Sequence, residues 1–141
     1  MALTKDEVNF YNDQGYLLVE DVISEGQHKE MLTLVEEFFD KAKMVKENDN
    51  IFDLEDGHSF DNPRLKRIKQ PHQHSQFFWD IIKESKIEDI LKDLLGDNIS
   101  LKTSKLNTKA PGGGAAVEWH QDWAFYPHTN DNVLALGLML N

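Results

Sequence analysis

Trp119-His120-Gln121-Asp122-Trp123 is the stretch on which the reading of this chain turns. At its centre a histidine and an aspartate stand two residues apart, and both are ligands for hard metal ions. On a β-strand successive side chains alternate faces, so a strand over 117–123 would project His120 and Asp122 to the same side, where they can grip one ion. Two histidines and one carboxylate form a facial triad that leaves open positions on ferrous iron, and this pair would supply two of the three ligands. Spacing alone is weak, because His-x-Asp occurs in many strands with no ligand at all.

The flanks carry more. Upstream runs Lys105-Leu106-Asn107-Thr108-Lys109-Ala110-Pro111-Gly112-Gly113-Gly114, and downstream runs Phe125-Tyr126-Pro127-His128, followed by the apolar run 133–140. At these residues the chain resembles the phytanoyl-CoA dioxygenase family, whose pattern is a Lys-x-Pro-Gly turn leading into a Trp-His-x-Asp strand. The resemblance extends over the whole chain, with an N-terminal helix, a Gly-Tyr-Leu strand and a helical layer ahead of the metal strand. It implies iron(II) and 2-oxoglutarate as cofactor and cosubstrate, and a double-stranded β-helix, or jelly roll, of which only the opening strands fall within 141 residues. It also implies that the second metal histidine and a cosubstrate arginine lie downstream of Asn141, so the expectation is the N-terminal part of an oxygenase.

Site residues follow from the resemblance. His120 and Asp122 are expected as iron ligands. Alternation along 101–109 puts Thr103, Lys105, Asn107 and Lys109 on one polar face. In these oxygenases that face points into the barrel, so Lys105 and Asn107, with Thr103 next and Lys109 last, are the expected 2-oxoglutarate contacts. A solvent-facing edge strand is the plain alternative. Trp123 is expected to wall a substrate pocket, Gln121 to be structural, and His128 to be carried away from the metal by Pro127. His28, His58, His72 and His74 have no partner at ligand spacing.

Composition narrows the classes. A length of 141 residues suits one domain, 1–141, read as a helical layer over 1–96 and β-strands with the metal motif over 97–141. There is no cysteine, which removes disulfides, thiolate catalysis and Cys-based zinc sites. A net charge of -10 argues against nucleic acid. No apolar run approaches the ~18 residues of a membrane span, and the start lacks a signal-peptide layout, so a cytoplasmic protein with no membrane partner is expected. The basic run Arg64-Leu65-Lys66-Arg67-Ile68-Lys69 reads as a solvated segment, with an anion-facing role as the alternative.

Along the chain, Thr4 and Glu7 form a capping box for a helix over 5–14 that Gly15 stops. Residues 16–19 read as a strand, and Ser24 caps a helix carrying Met31, Leu32, Leu34, Val35, Phe38, Phe39 and Ala42 on its apolar side. The segment 47–63 reads as a loop anchored by Ile51, Phe52 and Leu54, with the character of a lid. Helices are expected over 77–83 and 87–95, the second with a Ser85/Glu88 box and Gly96 as its stop, then strands over 99–109, 117–123 and 133–140. The sum is an α+β fold, helices packed on one side of an antiparallel sheet. Unpaired strand edges predict a homodimer. The function expected is an iron(II) and 2-oxoglutarate dependent oxygenase acting on a small organic or lipid-like molecule. A metal-dependent β-barrel enzyme without 2-oxoglutarate, and a non-catalytic interaction module, are the rivals.

Overall fold

Local capping chemistry fixes the first two helices. A computed structural model describes residues 2–83, 86–109, 116–126, 129–130 and 132–140. In α1, Lys5–Gln14, the Glu7 N–H donates to Thr4 Oγ1 at 3.3 Å and the Thr4 N–H donates back to Glu7 Oε2 at 2.7 Å. Gly15 ends the helix with φ 79°, a left-handed turn that glycine adopts without steric cost, and its N–H donates to the Tyr11 carbonyl. In α2, Glu25–Ala42, Ser24 and Gln27 form the same reciprocal cap. Met31, Phe38 and Ala42 lie buried on its inner stripe, with Leu34, Val35 and Phe39 packed alongside.

The sheet is small, antiparallel and ordered β1-β2-β3, with β1 Phe52–Leu54, β2 Leu65–Lys69 and β3 Lys105–Asn107. β2 is central, and this corrects the reading of its basic run as a solvated segment: Leu65 and Ile68 are fully buried. Strict alternation would put residues three apart on opposite faces, yet both reach the core. The register slips between Asp53 and Leu54, so that Asp53 opposes Arg67 while Leu54 opposes Leu65. This bulge gives β2 one extra residue, Lys66, and turns both apolar side chains inward. Phe52, Ile68 and Leu106 then form one cross-strand row against α2. Phe38 seals it, its ring 6.3 Å from those of Phe52 and Phe78.

Three short helices complete the layer: α3 Pro71–His74, α4 Gln76–Lys83 and α5 Lys86–Leu95. α5 ends at Gly96, as expected, while Ser85 of the anticipated capping box lies outside the described residues. The N-terminus is tied to α5 by Asp93, whose Oδ2 accepts the N–H groups of Ala2 at 2.7 Å and Leu3 at 2.8 Å.

Other expectations fail for want of a ladder. Residues 16–19, 117–121 and 132–140 carry no strand, and β3 covers only three residues of the expected 99–109. A strand without a hydrogen-bonded neighbour has no ladder to satisfy its backbone, and among the described residues nothing pairs with these segments. The last segment still docks: Leu138 and Leu140 pack on the core, and His28 Nε2 lies 2.7 Å from the Leu140 carbonyl oxygen, a partner 112 residues away. Nor is 47–63 a free lid. Asp49 Oδ1 accepts from Ile51 and Phe52, the Lys69 N–H donates to the Ile51 carbonyl, and Arg64 pairs with the nearly buried Glu55 carboxylate at 2.9 Å. Among the described residues no helix is long and apolar enough to cross a membrane.

Candidate functional site

The His120 and Asp122 side chains meet, though not through strand alternation. Asp122 opens a short 3-10 helix, Asp122–Ala124, whose turn is closed by the Phe125 and Tyr126 N–H groups donating to the Asp122 carbonyl at 2.9 and 3.1 Å. The turn brings Asp122 Oδ1 to 3.4 Å from His120 Nε2, with both side chains about one-third exposed. On the other side of the ring, Nδ1 lies 2.7 Å from the Glu118 carbonyl oxygen. A carbonyl can only accept, so Nδ1 carries a proton and donates, which leaves Nε2 as the nitrogen facing the carboxylate. The Phe125 ring stands edge-on to the imidazole at 5.4 Å and restricts its rotation.

This donor set fits a metal ion. With Nε2 unprotonated, the imidazole nitrogen and the carboxylate oxygen both present lone pairs to the gap between them, which a proton or a metal cation fills favourably. The carbonyl contact on Nδ1 is the outer hydrogen bond that metal-binding histidines characteristically make. Among the described residues no third histidine, aspartate or glutamate joins the pair. His128 lies outside the described residues.

Trp123 sits in the 3-10 turn, half-exposed, with its indole N–H donating to the Asn130 carbonyl at 3.1 Å. That bond ties the indole to the segment at 129–130. Gln121 precedes the turn as its N-terminal cap.

β3 presents the two faces that alternation predicts. Thr103, Lys105, Asn107 and Lys109 are exposed on one side, and Ser104, Leu106 and Thr108 are partly buried on the other. The inner side anchors the strand. Leu106 enters the core, the Ser104 hydroxyl meets His72 Nδ1 at 2.5 Å, and the Thr108 hydroxyl donates to the Leu65 carbonyl. The outer side continues across the sheet: Asn107 is the cross-strand partner of Arg67, which is the partner of Asp53, and Lys105 is the partner of Lys69. Sequence reasoning missed Arg67 and Lys69 as members of this face, because the bulge breaks the period-2 signal that would have assigned them. No hydrogen bond or ion pair among the described residues joins Thr103, Lys105 or Asn107 to the His120–Asp122 pair. The Lys109-Ala110-Pro111-Gly112 turn, apart from Lys109, lies outside the described residues.

The other histidines have structural surroundings. His58 Nδ1 accepts from the Arg64 N–H at 2.9 Å. Burial first, and then the neighbouring His74, pull the His72 pKa below the ordinary 6.5.

Comparison with known proteins gives a consistent picture. The profile of the phytanoyl-CoA dioxygenase family matches residues 11–141. A protein of Stutzerimonas stutzeri named "Probable alpha-ketoglutarate-dependent hypophosphite dioxygenase" is 37% identical over 131 residues, covering 93% of this chain and 46% of that protein. An ectoine dioxygenase of Bordetella bronchiseptica is 24% identical over 132 residues, covering 94% of this chain and 41% of its own length. The chain thus spans a little under half the length of the curated relatives it matches. With the His-x-Asp turn and its flanking strand in place, and with a family match over nearly all of its length, the chain belongs to the phytanoyl-CoA dioxygenase family.

Proposed function

We propose that this chain contributes the metal-binding half-site of an iron(II) and 2-oxoglutarate dependent oxygenase that hydroxylates a small molecule. The observation that carries the reading is the His120–Asp122 pair, two lone-pair donors 3.4 Å apart with the imidazole tautomer set by the Glu118 carbonyl. In this reading the three-stranded sheet opens a jelly roll, and its outer face, with Thr103, Lys105 and Asn107, turns toward the interior to meet the cosubstrate.

Each residue then has a physical task. His120 Nε2 and Asp122 hold iron(II), and the Nδ1–H bond to Glu118 keeps the ring from turning away. When bound, the metal supplies dioxygen activation coupled to oxidation of 2-oxoglutarate to succinate and carbon dioxide. Lys105 provides positive charge and Asn107 amide N–H donors for a carboxylate, and Thr103 a hydroxyl. Trp123, fixed through Asn130, walls the substrate side and keeps water off the reacting bond. The relatives' names put a phosphorus oxyanion and a small organic solute among the substrate candidates.

An anaerobic titration of the chain with ferrous iron and 2-oxoglutarate tests this. The expected result is a saturable visible charge-transfer band that disappears in His120→Ala and in Asp122→Ala. A band that survives both substitutions overturns the ligand assignment. Iron binding without any response to 2-oxoglutarate favours the rival metal-dependent barrel enzyme.

A further inference from the structure

Asp53, Arg67 and Asn107 occupy successive cross-strand positions on β1, β2 and β3, on the sheet face turned away from the core. Arg67 reaches both ways. Its NH1 lies 3.6 Å from Asp53 Oδ2, and its Nε–H donates to Asn107 Oδ1 at 3.3 Å. Lys69 grips the same aspartate at 3.0 Å and also donates to the Asp49 carbonyl, so Asp53 is fixed from a second direction. The Arg67 and Asp53 side chains are 34% and 22% exposed, which shields their pairing from full solvent screening.

A guanidinium has five donors and no acceptor. Whatever part of Asn107 faces it must therefore be the amide oxygen, and the two amide N–H groups are directed the other way. Among the described residues those N–H groups and the Lys105 ammonium have no partner. At Lys105 and Asn107 the outer face of β3 thus offers donors alone, as a carboxylate requires. Without Arg67, the near-symmetric amide is free to flip, and half of its orientations would turn an oxygen lone pair toward an incoming anion.

We propose that Arg67 is a positioning residue for cosubstrate binding: held by Asp53, it fixes the side-chain amide of Asn107 with its N–H groups outward, toward the carboxylate of 2-oxoglutarate. This rests on the assignment of Asn107 as a cosubstrate contact. Arg67 acts through the amide and not by its own charge.

A double-mutant cycle on the full chain separates these roles, with the 2-oxoglutarate dissociation constant read anaerobically in the presence of ferrous iron. Arg67→Met is expected to weaken binding about five- to tenfold, the worth of one ordinary hydrogen bond. Arg67→Lys keeps the charge but cannot fork between Asp53 and Asn107, so it is expected to rescue little. In an Asn107→Ala background, Arg67→Met is expected to add nothing further. Full rescue by lysine, or additive losses in the double variant, overturns the proposal. Asn107→Ala binding as tightly as wild type sinks the cosubstrate assignment itself. A second readout needs no cosubstrate: the Arg67 Nε–H nuclear magnetic resonance signal should exchange with solvent more slowly in wild type than in Asn107→Ala, and equal rates also overturn the proposal.

Discussion

Replacing Ile68 with alanine tests the assignment of β2 as the centre of the sheet. Ile68 is 0% exposed, lies between Phe52 and Leu106 on neighbouring strands, and packs within the cluster of Phe38, Phe78 and Leu65. Truncation removes buried methyl and methylene groups and leaves a cavity that a bulged, cross-linked strand cannot easily close, so the loss falls at about 2–5 kcal/mol. Against a domain stability of about 5–15 kcal/mol that is a large fraction. Urea unfolding followed by circular dichroism reads it out. With a mid-range slope of about 2 kcal/mol per molar urea, the midpoint should fall by about 1–2.5 M. Lys66→Ala is the control, because Lys66 contributes its carbonyl to the Thr108 N–H while its side chain is outside the core, and it should change stability by no more than about 0.5 kcal/mol. A basic run lying free in solvent would make the two variants equivalent. An Ile68→Ala midpoint equal to that of Lys66→Ala would refute the central-strand reasoning.

Three further outcomes follow from particular contacts. Ser24→Ala removes the side-chain half of the α2 capping box and should cost about 0.5–2 kcal/mol, with helix content lost first at residues 25–28; unchanged urea stability would show that packing alone holds that end. The Asp93 carboxylate accepts the Leu3 and Ala2 N–H groups, chiefly Leu3, and these bonds hold its pKa below the usual 3.8. A lowered folded-state pKa means stabilisation that is complete above the unfolded value and fades as pH falls through the folded one. The N-terminal segment should therefore detach from α5 only below about pH 4, and an Asp93 carboxyl carbon signal titrating at or above 3.8 would contradict the contact. β1 and β3 each have an outer edge with no strand beside it among the described residues, so light scattering is expected to find a dimer, and a clean monomer would count against edge pairing.

Much of the helical layer was legible because its signals are local. Thr4 with Glu7, Ser24 with Gln27, and the glycines at 15 and 96 act within a turn or two of themselves, so reading them requires no knowledge of the rest of the molecule. The spacing of Met31, Phe38 and Ala42 marks a buried stripe for the same reason. The polar outer side of β3 was also legible, since alternation is a property of the strand alone.

Whatever depends on a partner strand or a turn was decided by tertiary structure. Leu65 and Ile68 share the core only because β1 slips register at Asp53, and three residues apart they look in sequence like opposite faces of an ordinary strand. Arg67 and Lys69 join Lys105 and Asn107 through pairings 40 and 36 residues long, which no local pattern encodes. The sequence by itself marked His120 and Asp122 as candidate ligands, through the motif that surrounds them; it did not determine how they meet. A strand was the expected means, whereas a 3-10 turn at Asp122 and the Glu118 carbonyl behind the imidazole bring the two together. Which side chains could serve as ligands is legible in their chemistry, but how two of them meet depends on which backbone groups find hydrogen-bond partners, and that is settled only when the chain is folded.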